Sequence, residues 1–370
     1  MDIKKRLHSL DALRGFDMLF ILGLASLIVS ICELFPGGAD CALAQNMTHV
    51  AWDGLRHHDT IFPLFLFIAG ISYPYSYASQ IEKGRTKKQI YGKIFYRGFM
   101  LVFINLLYNG LLNFDFLHLR YTGVLARIGM AWMFSALIFV TFRKNYVRWI
   151  IAASLLIGYW LLLRFVPAPD MPAGTDPFSI EGNLCGYIDR NVIPGRFYQD
   201  FFDPEGILST IPAIVTAMLG MFTGQFVKLP EEKFSGNKKT LIMFGAAAIM
   251  LGLGLLWGQV FPINKSLWSS SFVLVVGSYS LAMFALFYWI IDVKGWKKWS
   301  FIFQVIGLNS ITIYLGQRIV SLRSISHFFC DGLAELVGSA WAPVVLNFGY
   351  LCVVWFLAYF LYKQKIFLRV

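Results

Sequence analysis

Six histidines are the side chains of this sequence best suited to carry a proton near neutral pH. Three of them, His49, His57 and His58, lie in a polar segment that leads into an apolar run. Asp53 follows His49 by about one helical turn and would orient its ring if that segment is helical, whereas Asp59 opens the apolar run. The spacing selects none of the three histidines, and a solvated surface role fits each of them.

Polar side chains also interrupt segments that are otherwise apolar. Such groups are costly at membrane depth and usually face an interior cavity, although interhelical hydrogen bonding is the alternative. Packing is slightly favoured for the asparagines at positions 105, 109 and 113, and a cavity that opens to the outside is favoured for Arg127 and Lys265. The other side chains that bring polar groups into these apolar segments are Asn264, Trp268, Ser269, Asn309, Ser310, Tyr314, Gln317 and Arg318.

The segment 167–205 is rich in acidic residues, among them Asp200, Asp203 and Glu205, and contains only two arginines. A loop of this charge would concentrate a cationic or amine-bearing substrate. A solvated surface loop explains the same composition equally well.

The elements that hold these residues follow from composition. Of 370 residues 57% are hydrophobic and 14% charged, and the mean hydropathy is +0.62. An average soluble domain is about 25% charged. The composition of this chain therefore excludes a disordered chain and argues strongly against a soluble enzyme. We expect an all-α polytopic membrane protein with about ten transmembrane helices, both termini cytoplasmic, and one domain over 1–370. The apolar segments lie near 12–34, 60–80, 94–113, 121–142, 148–166, 206–227, 240–260, 268–291, 300–320 and 341–362, and 321–340 is predicted to be an interfacial helix or a re-entrant turn.

The net charge of +11 is distributed as expected for a membrane protein. With the N-terminus inside, every predicted cytoplasmic segment is basic, beginning with Lys4, Lys5 and Arg6. The basic residues therefore indicate topology in a lipid bilayer, and nucleic acid is excluded as a partner.

Five cysteines without a Cys-x-x-Cys pair give no zinc or iron–sulfur pattern, and we expect no metal. A bridge between Cys41 and Cys185 is left open. No glycine-rich phosphate loop and no Ser-His-Asp spacing is present.

Ten segments carry a pattern that runs in order from one end of the chain to the other: Ser9–Gly15, His49–Gly54, Asp59–Pro63, Phe67–Gly70, Gly123–Arg127, Gly186–Arg190, Asp203–Leu208, Asn264–Ser269, Gly307–Ser310 and Tyr362–Phe367. Together these segments resemble the heparan-α-glucosaminide N-acetyltransferase family, within the wider transmembrane acyltransferases. The resemblance is highly specific for the family, less so for the substrate.

The resemblance implies that cytoplasmic acetyl-CoA donates an acetyl group to the amino group of a glucosamine-type sugar on the far side of the membrane. The active histidine of the family falls on His49, and Asp59 matches a family acid. The family asparagine late in the first core helix falls near Ala25 or Ser26, so this chain departs from the pattern there. A bacterial inner membrane is expected, and a homodimer is implied by the resemblance alone.

The chemistry of acetyl transfer suggests roles for further side chains. Oxyanion and substrate contacts are expected from Asn264, Trp268, Asn309 and Ser310, sugar contacts from Asp203 and Glu205, and CoA contacts from Arg14, Arg127 and Lys265. Packing, helix capping and helix-end anchoring are the alternatives for the charged members.

Two mechanisms and two other functions stay open. His49 acts either as a general base or as a nucleophile that carries the acetyl group. The same residues would serve an O-acetyltransferase of exported glycans. A transporter of amino sugars or oligosaccharides is the alternative from another class, although no internal repeat supports it.

Overall fold

The computed structural model of the protein describes residues 7–172, 174–199 and 201–367. Within these ranges the chain forms helices and turns and no strand, which confirms the predicted all-α class. Lys4, Lys5, Arg6 and Asp200, which entered the predictions above, lie outside the described residues. The cytoplasmic position of both termini stays a prediction.

Nine helices in the described part of the chain are long and apolar enough to cross a membrane, and they match nine of the ten predicted segments. They are α1 (His8–Cys32), α3 (His57–Glu82), α4 (Lys87–Tyr108), α5 (Val124–Thr141), α6 (Asn145–Phe165), α8 (Thr210–Val227), α9 (Gly236–Trp257), α10 (Ser270–Val293) and α14 (Ala342–Lys363). The shorter helices are α2 (Ala42–Asn46), α7 (Leu184–Val192), α11 (Phe301–Leu308), α12 (Ser310–Ile319) and α13 (Leu322–Val337).

The remaining predicted segment, 300–320, is helical but divided. Helix α11 ends at Leu308 and α12 begins at Ser310, with the non-helical Asn309 (φ −118°, ψ 19°) between them. Asparagine and serine have low helix propensity because their side chains compete for backbone hydrogen bonds, so an interruption is favoured at this position. Within the segment 321–340 the chain forms the helix α13 (Leu322–Val337), which is followed by Gly338 in a positive-φ conformation.

The described residues form two compact units. The first takes in residues up to Val50, Leu55–Ile61 and residues from Ala282 onward, and the second takes in Ala51–Gly54 and Phe62–Leu281. The single domain over 1–370 stays a prediction.

In the first unit, α1 and α11 are in backbone contact. A Cβ atom on Gly15 would lie 1.7 Å from the carbonyl oxygen of Phe303, and one on Gly307 would lie 2.0 Å from the carbonyl oxygen of Asp11. Helix α1 bends at Gly23, whose φ of +124° lies inside a π-helical turn. These glycines fix where α1 lies and therefore where its polar side chains are presented.

In the second unit, α3 and α8 pack closely through small residues. A Cβ atom on Gly220 would lie 2.0 Å from the carbonyl oxygen of Phe67, and one on Gly70 would lie 2.2 Å from that of Ala217. Small residues that let two helix backbones approach are a common means of association between membrane helices. The contact fixes the position of α3, the helix that begins at His57.

Gly220→Ala should therefore lower the free energy of unfolding by about 1–3 kcal/mol, because the added methyl group meets backbone that cannot move aside alone. Gly245 on α9 is the matched control, since no atom lies within 4 Å of the place that its methyl group would take. Gly245→Ala should be neutral or stabilising by up to about 1 kcal/mol. Thermal unfolding in detergent compares the two variants, and equal midpoints would contradict the close helix contact.

Candidate active site at His49 and Asp59

His49 and Asp59 form a hydrogen-bonded pair in the first unit. The Nδ1 atom of His49 lies 2.7 Å from Oδ1 of Asp59. The His49 side chain is 53% exposed whereas that of Asp59 is 2% exposed, so an accessible ring is held by a buried carboxylate. Because Nδ1–H donates to Asp59 in this arrangement, the ring lone pair is placed on Nε2, the nitrogen suited to accept a proton or an acyl group.

Asp59 also fixes the backbone on both sides of the pair. Its Oδ2 atom accepts hydrogen bonds from the backbone N–H groups of Val50 at 3.3 Å and Arg56 at 3.1 Å. The residue lies in the first turn of α3, where a negative charge is favoured by the helix dipole. One carboxylate thus holds the ring, the segment after His49 and the start of α3.

The segment before α3 is tied down by further contacts. Asn46 accepts a hydrogen bond from the backbone N–H of His57 at 3.2 Å, and the Arg56 guanidinium donates to Thr48 Oγ1 at 2.6 Å and to the carbonyl oxygen of His49 at 3.2 Å. Met47 packs in an apolar cluster with Phe20, Ala25 and Ile61. His49 is therefore presented from a well-anchored loop.

The alternative in which Asp53 orients His49 is wrong. Residues 49–56 are not helical, so the expected one-turn spacing does not bring Asp53 onto the ring. Asp53 instead accepts a hydrogen bond from the Asn264 amide at 3.0 Å in the second unit. Asn264 also accepts one from the Leu267 N–H at 2.9 Å, so it holds the turn that contains Lys265 and Trp268.

In the second unit, Arg120 pairs with both predicted sugar-binding acids. Its Nε and Nη2 atoms donate to the two carboxylate oxygens of Asp203 at 2.7 and 2.6 Å, and Nη2 also donates to Glu205. Burial alone would raise the pKa of Asp203, but the hydrogen bonds and charge of Arg120 bring that pKa below its ordinary value. Both acids therefore have a protein cation as their partner in this structure.

Arg127 and Trp268, predicted to contact CoA and substrate respectively, contact one another. Arg127 is 2% exposed, donates to the carbonyl oxygen of Gly206 at 3.3 Å and to Ser209, and lies with its guanidinium 5.0 Å from the Trp268 ring centroid. Trp268 has φ +50°, which is costly for a bulky side chain, and its indole N–H donates to Thr216 at 3.1 Å. The strained turn places the indole against the cation.

Arg14 and Asn309 belong to the first unit, on either side of the α1–α11 contact. The Arg14 guanidinium lies 3.6 Å from Asp11 and 3.5 Å from the carbonyl oxygen of Gly307. Asn309 is 1% exposed, and neither its amide nitrogen nor its amide oxygen has a hydrogen-bond partner among the residues that the structure describes. Ser310, the next residue, is also buried.

Asp189 is a buried carboxylate of the second unit that borders Gly206. Its Oδ1 atom accepts a hydrogen bond from the Ile207 N–H at 3.0 Å, whereas Oδ2 is buried and has no hydrogen-bond partner in the described part of the chain. A Cβ atom on Gly206 would lie 2.0 Å from Oδ2, so glycine is the residue that fits there. Burial raises the pKa of Asp189 to about 6, against the opposing effects of the Ile207 N–H and Arg127.

This pKa predicts a pH-dependent stability. Because the folded-state value lies above the ordinary value of 3.8, the folded form binds the proton more tightly. The stabilisation is complete below about pH 4 and is lost as the pH rises through about 6, a difference of roughly 3 kcal/mol. Asp189→Asn keeps the Oδ1 acceptor and removes the charge, so this variant should gain stability relative to the wild type as the pH rises.

Thermal unfolding of both proteins between about pH 4.5 and 7.5 measures the effect. The control is Asp40→Asn, the same chemical change at an exposed carboxylate, which should alter the unfolding temperature little. A constant difference for Asp189→Asn would contradict the expected shift.

Among the residues described, no group of three or more His, Cys, Asp or Glu side chains is arranged to hold a metal ion. The absence of a metal from the reaction stays a prediction. Cys41 and Cys185 are both free thiols, so the bridge left open by the sequence is not formed in this structure. The Cys185 sulfur lies 3.1 Å from the Tyr159 hydroxyl oxygen instead.

Two curated proteins are similar to this chain, although no protein-family profile matches it. Heparan-alpha-glucosaminide N-acetyltransferase of Homo sapiens is 30% identical over 371 residues, which cover 85% of this chain and 53% of that protein. The protein of the same name from Mus musculus is 28% identical over 422 residues, which cover 99% of this chain and 60% of that protein.

This chain is a relative of the heparan-alpha-glucosaminide N-acetyltransferases. The resemblance inferred from the sequence segments is thereby confirmed. The chain spans between half and two thirds of the length of these two curated relatives.

In this relative of the N-acetyltransferases, two residues stand out that sequence reasoning missed. Arg120 was assigned no role, and the available signal was only that buried acids such as Asp203 need a cation partner. Asp189 lies in one of the resembling segments but was likewise given no role. Lys265 has only partial burial and sits in the turn fixed by Asn264.

Proposed function

We propose that this protein is a transmembrane N-acetyltransferase that transfers the acetyl group of acetyl-CoA to the amino group of a glucosamine-type sugar. The observation that carries the proposal is the His49–Asp59 pair, an accessible imidazole held by a buried carboxylate. The relationship to two proteins named heparan-alpha-glucosaminide N-acetyltransferase supports the reaction class. Acetyl-CoA is proposed to come from the cytoplasm and the sugar from the periplasmic side of a bacterial inner membrane.

The chemistry proposed for His49 is proton transfer at Nε2. The sugar amine attacks the thioester carbonyl, its proton passes to Nε2, and the tetrahedral intermediate collapses as the C–S bond breaks. The CoA thiolate leaves and takes up the proton from the imidazolium. Asp59 stabilises the imidazolium and keeps the ring in the tautomer that presents Nε2.

An acetyl-His49 intermediate uses the same atoms in two steps. Nε2 attacks the thioester carbonyl, the C–S bond breaks and the CoA thiolate leaves. The sugar amine then attacks the acetyl carbonyl, the bond from that carbon to Nε2 breaks, and the freed Nε2 takes up the amine proton. Asp59 serves this route as well because it accepts the hydrogen bond from Nδ1–H in both steps. The two routes differ in whether CoA is released before the sugar binds.

The remaining site residues are proposed to bind the substrate, the oxyanion or CoA. Asn309 is proposed as an oxyanion or substrate donor with Ser310, because its buried amide has no protein partner. Arg14 is proposed to meet CoA, since its side chain is 23% exposed. Arg127 and Lys265 are likewise proposed to contact CoA. Substrate contacts are proposed for Asn264, Trp268, Asp203 and Glu205.

The test is acetyl transfer by the detergent-solubilised full chain with radiolabelled acetyl-CoA and glucosamine. We expect label in an amide, which resists alkaline hydroxylamine, and no label on glucose, the matched acceptor without an amine. Label that hydroxylamine removes would instead favour the O-acetyltransferase. A folded, monodisperse protein that neither transfers acetyl nor binds acetyl-CoA would overturn the proposal and leave the transporter in first place.

The homodimer implied by the resemblance is a separate proposal. The mass of the protein in a small-micelle detergent, measured by light scattering with the detergent contribution subtracted, should correspond to two chains. A mass of one chain across the accessible concentration range would overturn it.

A further inference from the structure

Two cysteines of the first unit lie together in the loop that leads to His49. Cys32 is the last residue of α1 and is buried, and Cys41 comes directly before α2 and is half-buried. Their thiols interact with one another. Both are free thiols in this structure, and neither has a part in the proposed acetyl transfer.

The backbone between them is folded to bring the two cysteines together. Three backbone hydrogen bonds follow one another along the turn. The Phe35 N–H donates to the Cys32 carbonyl oxygen at 3.0 Å and the Gly38 N–H donates to the Phe35 carbonyl oxygen at 2.9 Å. The Cys41 N–H donates to the Gly38 carbonyl oxygen at 3.3 Å. Gly37 has φ +70°, and a Cβ atom on Gly38 would lie 1.6 Å from the Cys32 carbonyl oxygen. Two adjacent glycines thus allow the chain to turn back onto the end of α1.

Cys41 is the more reactive thiol of the two. The backbone N–H of Ala44 donates to its sulfur at 3.4 Å, and this contact, together with the Cys32 thiol, lowers the pKa of Cys41 below its ordinary value. A lowered pKa increases the thiolate fraction, and the thiolate is the species that attacks a disulfide. The partly exposed Cys41 is placed to react first and the buried Cys32 to resolve the mixed disulfide.

We propose that Cys32 and Cys41 form a disulfide by thiol–disulfide exchange. The oxidant is itself a disulfide, either that of a small molecule or that of an oxidoreductase. The Cys41 thiolate attacks one sulfur of the oxidant and releases its first thiol. The Cys32 sulfur then attacks Cys41 and releases the second. Two cysteine thiols are oxidised, one disulfide of the oxidant is reduced to two thiols, and the protons of the cysteines end on those thiols.

The bond would fasten the end of α1 to the segment that carries His49. Residues 42–47 follow Cys41 directly, and they include Asn46, which binds the start of α3, and Met47, which packs on Phe20. Cross-linking restricts the unfolded chain and so stabilises the folded one. This inference goes beyond the proposed function and does not depend on it.

The test uses the full chain in detergent with oxidised glutathione, followed by denaturation, alkylation and mass spectrometry. The tryptic peptide from Gly15 to Arg56 contains Cys32 and Cys41 and no other cysteine. We expect this peptide to lose two hydrogen atoms and to resist alkylation until it is reduced. The oxidised protein should also unfold at a higher temperature than the reduced protein.

Two serine variants make the result specific. Cys41→Ser should abolish both the mass loss and the thermal shift, whereas Cys352→Ser, a change in α14, should leave both unchanged. Full alkylation of both thiols after oxidation, or glutathione retained on Cys41 beside an alkylated Cys32, would overturn the proposal. The wild-type mass measurement decides even if a variant folds poorly.

Discussion

Replacing His49 by alanine should lower the rate of acetyl transfer to glucosamine by about 10²–10⁴-fold. In the proposed mechanism the imidazole, held by Asp59 at 2.7 Å, is the base that takes the amine proton, and alanine has no group to replace it. The fold should survive, since the His49 side chain is 53% exposed and its removal leaves no core cavity. Initial rates with radiolabelled acetyl-CoA, measured on protein checked by thermal unfolding, give the ratio.

The matched control is His118→Ala. His118 also pairs with an aspartate, Asp115, at 2.9 Å, but both partners are exposed, at 77% and 55%. Its replacement should leave the transfer rate within twofold of the wild type. Equal losses in the two variants, or full activity of His49→Ala, would remove His49 from the mechanism.

The role of Asp59 can be separated by a double mutant. The Asp59 carboxylate accepts hydrogen bonds from His49, Val50 and Arg56, whereas an asparagine must turn an NH₂ group toward one of these donors. Asp59→Asn should therefore disturb the ring tautomer and slow transfer. In a His49→Ala background the same change should cost little more activity, because residues that act as a unit are not additive.

Arg120→Ala should produce the largest loss of stability, about 3–5 kcal/mol in the free energy of unfolding. The guanidinium is the bidentate partner of Asp203, whose carboxylate is fully buried, and it also binds Glu205. Removing the guanidinium leaves the carboxylates of Asp203 and Glu205 close together without the cation that binds both. Denaturant-induced unfolding in detergent at neutral pH measures the change.

Arg190→Ala is the control for Arg120→Ala. Arg190 binds Asp170 at the same 2.6 Å, but the pair is partly solvated, with side chains 20% and 37% exposed. Exposed ion pairs contribute about 0–1 kcal/mol, so this variant should be nearly as stable as the wild type. Similar losses in both variants would contradict the view that burial of Asp203 makes the Arg120 pair important.

Much of the fold was predictable because the bilayer imposes length and apolarity on each span. Nine segments chosen on those grounds correspond to helices of the structure. Boundaries were harder, as α4 shows: it begins at Lys87 rather than near 94. Thr86 and Gln89 form a reciprocal capping box there, and hydropathy takes no account of such hydrogen bonds.

The candidate site was predictable only in part. Spacing could not choose among His49, His57 and His58, and the family resemblance made the choice. Asp59 could not be preferred to Asp53 on spacing, because the preference depends on a non-helical loop between His49 and α3.

Long-range partners were beyond the reach of spacing. Arg120 lies 83 residues before Asp203, so the pair is created by tertiary folding alone. The break at Asn309 was hidden in a segment, 300–320, that the sequence predicted to be one continuous span. In both cases the structure depends on hydrogen bonds that a residue-by-residue scale does not contain.

The backbone contact between α1 and α11 restricts how the first unit can change shape. At Gly15 and Gly307 the two helices touch without intervening side chains, so they cannot slide past one another without a clash. We therefore expect the two helices to move together when the unit changes shape. Bending is then confined to the places where the helical ladder is already interrupted, at Gly23 within α1 and at Asn309 after α11, which makes these two residues the natural hinges of the unit.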